Sequence, residues 1–156
     1  MRHVTVKVLV RDADPGDAYL RVGDFARYPE LTATVHEVVV HPQEDAHTHL
    51  SDWTVSFRNG LLRWTERDTF DPGTRSISFT QVSGDFMTFE GTWLVEPATG
   101  GSTVTFTAAF DLGIPSLAEI LDPVASAALS GNILQILRGL FGEVNQVTET
   151  PAIMVT

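Results

Sequence analysis

Apolar and polar residues alternate along most of the chain, and this period of two is typical of β-strands. Every second residue from Val4 to Val10 is valine, so residues 2–11 are predicted to form the first strand. Six more strands are predicted by the same alternation and by the turns that separate them, at about 34–41, 46–58, 61–70, 75–82, 86–96 and 102–111. The clearest turn is Asn59-Gly60, a typical hairpin sequence. Strands joined by such short turns form an antiparallel meander.

Two short helices are predicted between the first and second strands. Asp14 can cap a helix that starts at Pro15 and is predicted over about 15–27, because Pro29 then ends it. A second short helical turn is expected at about 29–32.

The last regular element is a long helix that contains a proline. Apolar residues recur at helical spacing and predict a helix over about 116–142. Pro123 has no backbone N–H, so a kink or two abutting helices are expected there. Residues 144–156 are predicted to be a C-terminal tail that follows a single domain of residues 1–143.

These elements predict an α+β fold. A seven-stranded antiparallel sheet of this length curls rather than staying flat, because its strands twist. The long apolar helix would then close the concave side of the curved sheet. Such a sheet, gripping one helix, is expected to leave an internal hydrophobic cavity.

Composition narrows the function classes. The chain has 156 residues, enough for one domain with a core that needs no disulfide. It contains no cysteine, which excludes thiol nucleophiles, disulfides and thiolate metal sites. The net charge of −10 argues against a nucleic-acid partner. Residues 76–156 contain Arg138 as their only basic residue, as expected for elements that enclose an apolar ligand.

The ends of the chain carry no recognisable targeting signal. The N-terminus alternates apolar with polar residues, unlike the unbroken apolar run of a signal peptide. The least charged stretch, 123–142, is too polar for a membrane span. Its polar residues are Ser126, Ser130, Asn132, Gln135 and Arg138. The sequence therefore predicts a soluble, cytoplasmic protein.

Several short motifs resemble those of START-related polyketide cyclase and lipid-transport proteins. Residues 24–30, Asp-Phe-Ala-Arg-Tyr-Pro-Glu, are similar to the D-F-x-x-Y-P-E segment of that family. Similar stretches occur at 62–68, 110–115 and 121–123, and the resemblance covers about residues 3–142. It implies a helix-grip fold with a deep hydrophobic cavity. No cofactor is predicted. Relatives include aromatase/cyclases, quinone-binding proteins and lipid carriers, so the resemblance is more specific for fold than for function.

Strand parity identifies the side chains that would line the cavity. The aromatic residues on the inward faces are predicted to bind the ligand, and they are Trp53, Phe57, Trp64, Phe79, Trp93 and Phe106. Met87 is expected on the same face as Trp93.

Two carboxylates interrupt this apolar surface. Glu66 and Asp68 share a face with Trp64 and would lie about 7 Å apart along the strand. Burial and mutual repulsion would raise the pKa of at least one of them, which suits proton transfer near neutral pH. Both are therefore candidate catalytic residues. The alternative is that Asp68 reaches solvent while Glu66 pairs with Arg63 or another arginine.

Three other polar residues are candidates for ligand contact. Asn132, on the long helix, could direct its amide at a ligand carbonyl or hydroxyl, or be exposed or bonded within the protein. Gln81 falls on an inward face, with a structural role at the strand end as the alternative. Tyr28 lies beside the helix–loop junction where relatives open their pocket, and is either a mouth residue or a packing aromatic.

Two histidines are the candidates for a metal site. His47 and His49 would share a face with Trp53, and Asp45 could supply a carboxylate. Histidines so close to a turn are more often exposed, and no metal is predicted. His36 and His41 are expected to be solvated.

The resemblance also implies how any chemistry would differ from that of relatives. Aromatase/cyclases of the tetracenomycin type carry tyrosine and arginine in the cavity, where this chain has Val35, Asp68 and Gln81. Asn132 matches a helix asparagine of those proteins. Acid/base chemistry would therefore be rebuilt around Glu66.

Three functions remain open from sequence. The leading one is a polyketide cyclase or aromatase that closes a poly-β-ketone ring with loss of water, with an acyl carrier protein as a candidate partner. The second is a non-catalytic carrier of a quinone, lipid or finished aromatic product, because the same apolar wall would serve it. The third is an interaction module that dimerises through the last helix.

Overall fold

The chain runs from a first strand through two short helices into a long series of strands and a final helix. The structure is a computed structural model that describes residues 2–57, 60–112 and 118–147, with side chains of the last helix from residue 124 onward. Its strands are β1 (Arg2–Arg11), β2 (Val35–Val40), β3 (Thr48–Phe57), β4 (Gly60–Asp71), β5 (Ser76–Gly84), β6 (Thr88–Ala98), β7 (Gly101–Asp111) and β8 (Asn145–Gln146). Its helices are α1 (Pro15–Val22), α2 (Tyr28–Leu31) and α3 (Ala118–Phe141). The predicted turn residue Asn59 and the tail after residue 147 lie outside the described residues.

All the described strands belong to one antiparallel sheet in the order β2-β3-β4-β5-β6-β7-β1-β8. The first strand returns to the last long one, from Arg2 opposite Phe110 to Arg11 opposite Gly101. The prediction of seven strands was wrong by one. Residues 145–146 pair with β1, and Val147 N–H donates to the carbonyl of Lys7 at 2.7 Å. A strand of two residues has no alternation that could reveal it.

The first helix begins as predicted but ends earlier. Asp14 caps it by accepting a hydrogen bond from Asp17 N–H at 3.1 Å, and Pro15 is its first residue. The predicted continuation to residue 27 is wrong, because the helix ends at Val22 and Asp24 leaves the helical region with φ −86° and ψ 64°. A 3-10 turn at 25–27 then leads into α2.

α3 is one helix rather than two, and Pro123 lies in its second turn. Its buried residues on the side of the sheet are Ala125, Ile133, Ile136, Leu137 and Leu140. Gly139 allows close contact with α2, because a Cβ there would lie 2.6 Å from the carbonyl oxygen of Leu31. Residues 124–141 have a mean hydropathy of 1.3, enough by length and composition for a membrane span. Their packing against the sheet identifies them as a core helix.

The core lies between the concave face of the sheet and the helices. Alternate residues of β1, β3, β4, β6 and β7 are buried, as parity predicted. Met87 is an exception: it is 63% exposed, and Phe86 is buried in its place. The reason is that β6 begins only at Thr88, so the alternation does not extend back to Met87.

Candidate functional site: an aromatic pocket with a buried carboxyl pair

A pocket lies between the concave face of the sheet and α3. Its sheet side is formed by Trp53, Val55, Trp64, Glu66, Phe79, Phe89, Trp93 and Phe106. Its helix side is formed by Leu129, Asn132, Ile133 and Ile136. A second cavity adjoins it and shares Val55, Trp64, Leu129 and Asn132 with it, so the two form one cleft along the helix.

The pocket is narrow. The space between its lining atoms measures about 410 Å³ including the open mouth, but the cavity inside that space is about 40 Å³. This is room for about three water molecules. A ligand of drug size needs several hundred Å³, so binding requires the lining side chains or α3 to move.

Flat aromatic rings form most of the wall. The indoles of Trp53 and Trp64 are parallel within 1°, with centroids 5.9 Å apart. Phe79 stacks on Phe106 at 5.6 Å, and Trp93 meets Phe106 edge-on at 4.8 Å. Such a surface fits a planar or conjugated apolar ligand.

Glu66 is the ionisable residue in this wall. It is 4% exposed, and its Oε1 accepts a hydrogen bond from Trp64 Nε1 at 2.7 Å. Burial raises the pKa of Glu66 well above its usual range, and Asp68 raises it further through a shared hydrogen bond and its negative charge. The Trp64 N–H opposes this shift, because it stabilises the carboxylate. Glu66 therefore keeps a proton at pH values where an exposed glutamate has lost it.

Asp68 lies behind Glu66 and is fully buried. Ser51 Oγ donates to Asp68 Oδ2 at 2.5 Å, and Trp53 Nε1 donates in turn to Ser51 Oγ at 2.8 Å. Burial raises the pKa of Asp68, whereas the hydrogen bonds from Glu66 and Ser51 and the nearby His49 ring lower it.

The structure contradicts an exposed Asp68 and a pairing of Glu66 with any described arginine. Asp68 does not reach solvent, because β4 keeps its alternation across an irregularity in its pairing with β5 at residues 65–66. Glu66 makes no ion pair with any described arginine. Arg63 is exposed on the opposite face, and Arg67 contacts Glu44 at 3.6 Å.

Asn132 joins the helix to the sheet at the cleft. Its Nδ2 donates to the carbonyl oxygen of Ser56 at 3.0 Å, and its side chain lines both cavities. Phe57 lines the second cavity rather than the first. Asn132 and Phe57 therefore both lie at the cleft, as predicted. One amide hydrogen of Asn132 is already bonded to the Ser56 carbonyl.

Tyr28 and Gln81 line neither cavity, which corrects the prediction that they contact the ligand directly. Tyr28 is fully buried, and its hydroxyl donates to the carbonyl of Val22. It packs edge-on against Trp53 at 5.5 Å and so supports the wall from behind. Gln81 holds the β5–β6 turn, because its amide bonds both the carbonyl and the N–H of Phe86, at 2.8 and 3.3 Å.

The two histidines near the β3 start are in different environments. His47 precedes the strand and is exposed, whereas His49 is buried with 8% exposure. Among the residues described, no group of three or more His, Asp or Glu side chains could hold a metal ion.

Sequence reasoning missed several members of the site. Leu129, Ile133 and Ile136 recur at helical spacing, but the spacing alone does not reveal which side of α3 faces the sheet. Ser51 has the parity of Trp53, and this signal could have placed it on the inward face.

Comparisons with known proteins agree with this architecture. The family model described as polyketide cyclase/dehydrase and lipid transport matches residues 12–136. No curated protein matches the chain in sequence.

Solved structures share the fold at low sequence identity. The protein TTHA0849 from Thermus thermophilus superposes with a TM-score of 0.79 at 24% identity, covering 89% of this chain and 94% of its own. The Zhui aromatase/cyclase from Streptomyces sp. R1128 has a TM-score of 0.76 at 16% identity, with coverage of 90% and 92%. A START superfamily protein from Mycobacterium smegmatis has a TM-score of 0.72 at 14% identity, with coverage of 90% and 95%. These likenesses establish the helix-grip fold.

Proposed function

Since the chain belongs to the polyketide cyclase/dehydrase and lipid transport family, we propose that it is a polyketide cyclase or aromatase. It binds a poly-β-ketone in the aromatic cleft and promotes aldol ring closure followed by loss of water. The observation that carries this proposal is Glu66, a buried carboxyl group with a raised pKa in an otherwise apolar wall. A carrier of apolar molecules has no need of such a group, whereas proton transfer requires one.

The wall contributes by fixing the conformation of the chain. A poly-β-ketone cyclises in several ways in water, and the enzyme selects one by holding the reacting carbons together. The parallel indoles of Trp53 and Trp64 form a flat surface for the conjugated enol form of the ligand. The apolar residues of α3 exclude water from the reacting carbons.

Glu66 moves the protons. In its carboxylate form it accepts a proton from the carbon between two ketones, and the resulting enolate carbon bonds to a second carbonyl carbon. The new alkoxide takes the proton back from Glu66 and becomes a hydroxyl group. A second such cycle removes the remaining α-proton and returns it to the departing hydroxyl, so that water leaves and a double bond forms.

Asp68 and Asn132 assist this cycle. Asp68 holds the Glu66 proton when Glu66 acts as the base, because the two carboxyl groups share a hydrogen bond. Asn132 lines the cleft and retains one amide hydrogen beyond its bond to Ser56, and we expect this hydrogen to bind a ligand carbonyl.

The substrate reaches the pocket as a thioester on an acyl carrier protein in the cytoplasm. Direct delivery by the carrier would shorten the time in which the reactive poly-β-ketone can cyclise unguided in water. The protein acts as a monomer or a dimer without change to this mechanism, because the described site is formed within one chain.

The experiment that tests the proposal is reconstitution with an acyl-carrier-bound poly-β-ketone and catalytic amounts of the protein. We expect one ring-closed, dehydrated product to replace the mixture that forms spontaneously, with many product molecules formed per protein molecule. The same product mixture with and without the protein would reject a cyclase.

A second function, carriage of a quinone, lipid or aromatic product, is favoured by one observation: nearly all the lining side chains are apolar. Native mass spectrometry of the gently purified protein distinguishes the two functions. A retained, chemically unmodified apolar molecule supports a carrier, whereas a cyclase releases its product and is recovered empty.

A further inference from the structure

His49 is buried beside the carboxyl pair but lines neither cavity. It lies opposite Asp68 in the β3–β4 register, and its ring packs between Phe70 at 5.1 Å and Phe25 at 6.4 Å. Its side chain retains 10% exposure, whereas that of Asp68 is fully buried. Nothing in the pocket chemistry described above requires a histidine at this position.

Two buried polar atoms of this cluster have no hydrogen-bond partner among the described residues. They are His49 Nε2 and Asp68 Oδ1. Nε2 lies 3.5 Å from Asp68 Oδ2, which is within ion-pair distance although the two atoms form no hydrogen bond. If Nε2 carries a proton, the N–H is attracted to the Asp68 carboxylate. If Nε2 carries a lone pair instead, the carboxylate repels it. The geometry therefore favours an N–H at Nε2 and an ionised Asp68.

The other ionisable groups near the pair supply no positive charge. Tyr28, from α2, is neutral, since burial and then the charges of Glu66, Asp68 and Asp24 raise its pKa well above its usual range. Its hydroxyl donates a hydrogen bond to the carbonyl oxygen of Val22. From α3 the pocket receives only the neutral amide of Asn132 as a polar group. Within the described ranges, His49 is thus the only potentially cationic side chain that contacts the pair.

We propose that His49 is a positioning residue of this pocket, which acts on Glu66 through Asp68 by keeping one proton, rather than two, on the carboxyl pair. With two protons the pair contains no base, and with none it contains no acid. One shared proton provides both forms, which is the state that the cyclisation cycle begins from. The inference rests on the proposed function for its effect on rate, but the proton count itself does not.

The direct test is infrared spectroscopy of the protonated carboxyl C=O stretch as a function of pH. The bands are assigned with Glu66→Gln and Asp68→Asn. In the unsubstituted protein we expect one protonated carboxyl over a broad pH range and a second only in acid. In His49→Gln we expect the second protonation to move to higher pH by about one unit or more, because the ring that lowers the pKa of Asp68 is lost. His47→Gln, the same change at the exposed histidine two residues earlier, is expected to leave the bands unchanged. Superimposable titrations of His49→Gln and the unsubstituted protein would overturn the proposal.

A second measurement does not depend on the variant folding. NMR of the ring nitrogens in the unsubstituted protein is expected to show His49 Nε2 protonated wherever Asp68 is ionised. A neutral ring with its proton on Nδ1 and a lone pair on Nε2 would also overturn the proposal.

These readouts separate the inference from the proposed function. If the protein cyclises nothing but the bands shift as expected, the cyclase is rejected and the role of His49 stands. If cyclisation occurs but the bands do not shift, the cyclase stands and the role of His49 is rejected. Where both hold, the acid limb of the pH–rate profile moves to higher pH in His49→Gln by the same amount as the infrared titration.

Discussion

Trp64 donates its indole N–H to Glu66 Oε1 at 2.7 Å, although the two residues are only two positions apart on one strand. Alternation places both side chains on the concave face, and the reach of the indole lets it bond its own neighbour. The bond fixes one carboxyl oxygen of Glu66 within the aromatic wall. The same tryptophan therefore both shapes the pocket and orients its acid.

Replacing this donor should change the acid/base behaviour of Glu66. In Trp64→Phe the carboxylate loses a stabilising N–H, so the pKa of Glu66 is expected to rise further. The limb of the pH–rate profile that reports Glu66 should then move to higher pH. Trp93→Phe makes the same change in the wall without removing a bond to Glu66. An equal shift in both variants would mean that the wall, and not the hydrogen bond, sets the pKa.

The raised pKa of Glu66 also predicts how stability depends on pH. The native protein retains a proton that the unfolded chain releases above its ordinary pKa of about 4.3. The contribution of Glu66 to stability is therefore greatest below that pH and falls as the pH rises towards the native pKa, by about 1.4 kcal/mol per pH unit. Asp68, whose pKa burial also raises, contributes with the same sign.

Glu66→Gln isolates the contribution of this residue, because glutamine keeps an oxygen for the Trp64 N–H. Urea unfolding at about pH 5 and about pH 8 should show a smaller loss of stability with pH in this variant than in the unsubstituted protein. Glu90→Gln, at an exposed position on β6, is the matched control and should retain the full loss. Parallel curves for all three proteins would show that Glu66 is ionised in the native state.

Much of the wall could be predicted because a strand gives each side chain one of two faces. Trp53, Trp64 and Glu66 followed from parity alone, whatever their partners across the sheet. Partners depend on register, which parity does not determine. A turn at Asn59-Gly60 would have paired Ser51 with Asp68, but the strands meet with Phe57 opposite Gly60, so Ser51 pairs with Glu66. A register shift of two residues changes the cross-strand partner of every residue, but it leaves each side chain on the same face of the sheet.

The remaining features depend on groups far apart in sequence. Tyr28 faces inward from α2, but its hydroxyl donates a hydrogen bond to the carbonyl oxygen of Val22. No pattern in the sequence predicts this bond. The rotation of α3 about its axis is set by packing against the sheet, so the contribution of Leu129 and Ile133 to the pocket was not predictable. The same holds for the pairing of residues 145–146 with β1.

Ser51 should be important for stability despite its size. It is fully buried, donates to Asp68 Oδ2 and accepts from Trp53 Nε1, so Ser51→Ala leaves a buried indole N–H without its partner. The expected loss is about 1–3 kcal/mol of unfolding free energy. Urea denaturation measures it, with the exposed Ser78→Ala on β5 as the control. A loss no greater than that of the control would show that water replaces the missing hydroxyl.

Asn132 should control access to the narrow cleft. Its bond to the Ser56 carbonyl joins α3 to β3 where the two cavities meet, so Asn132→Ala is expected to loosen this contact. Stability should fall by about 1 kcal/mol, and an apolar fluorescent ligand should bind and dissociate faster in stopped-flow measurements. Gln135→Ala, at an exposed position one turn further along, should change neither rate. Unchanged ligand kinetics in Asn132→Ala would place the access route elsewhere.

The role of Glu66 in proton transfer is tested most directly by single-turnover kinetics with a poly-β-ketone thioester, under excess protein. Glu66→Gln preserves the shape of the wall and removes the proton-carrying group, so ring closure should slow about 100-fold or more, while Glu90→Gln reacts at the unsubstituted rate. Closure by Glu66→Gln at that same rate would contradict the acid/base role and leave the aromatic wall as the only source of any acceleration.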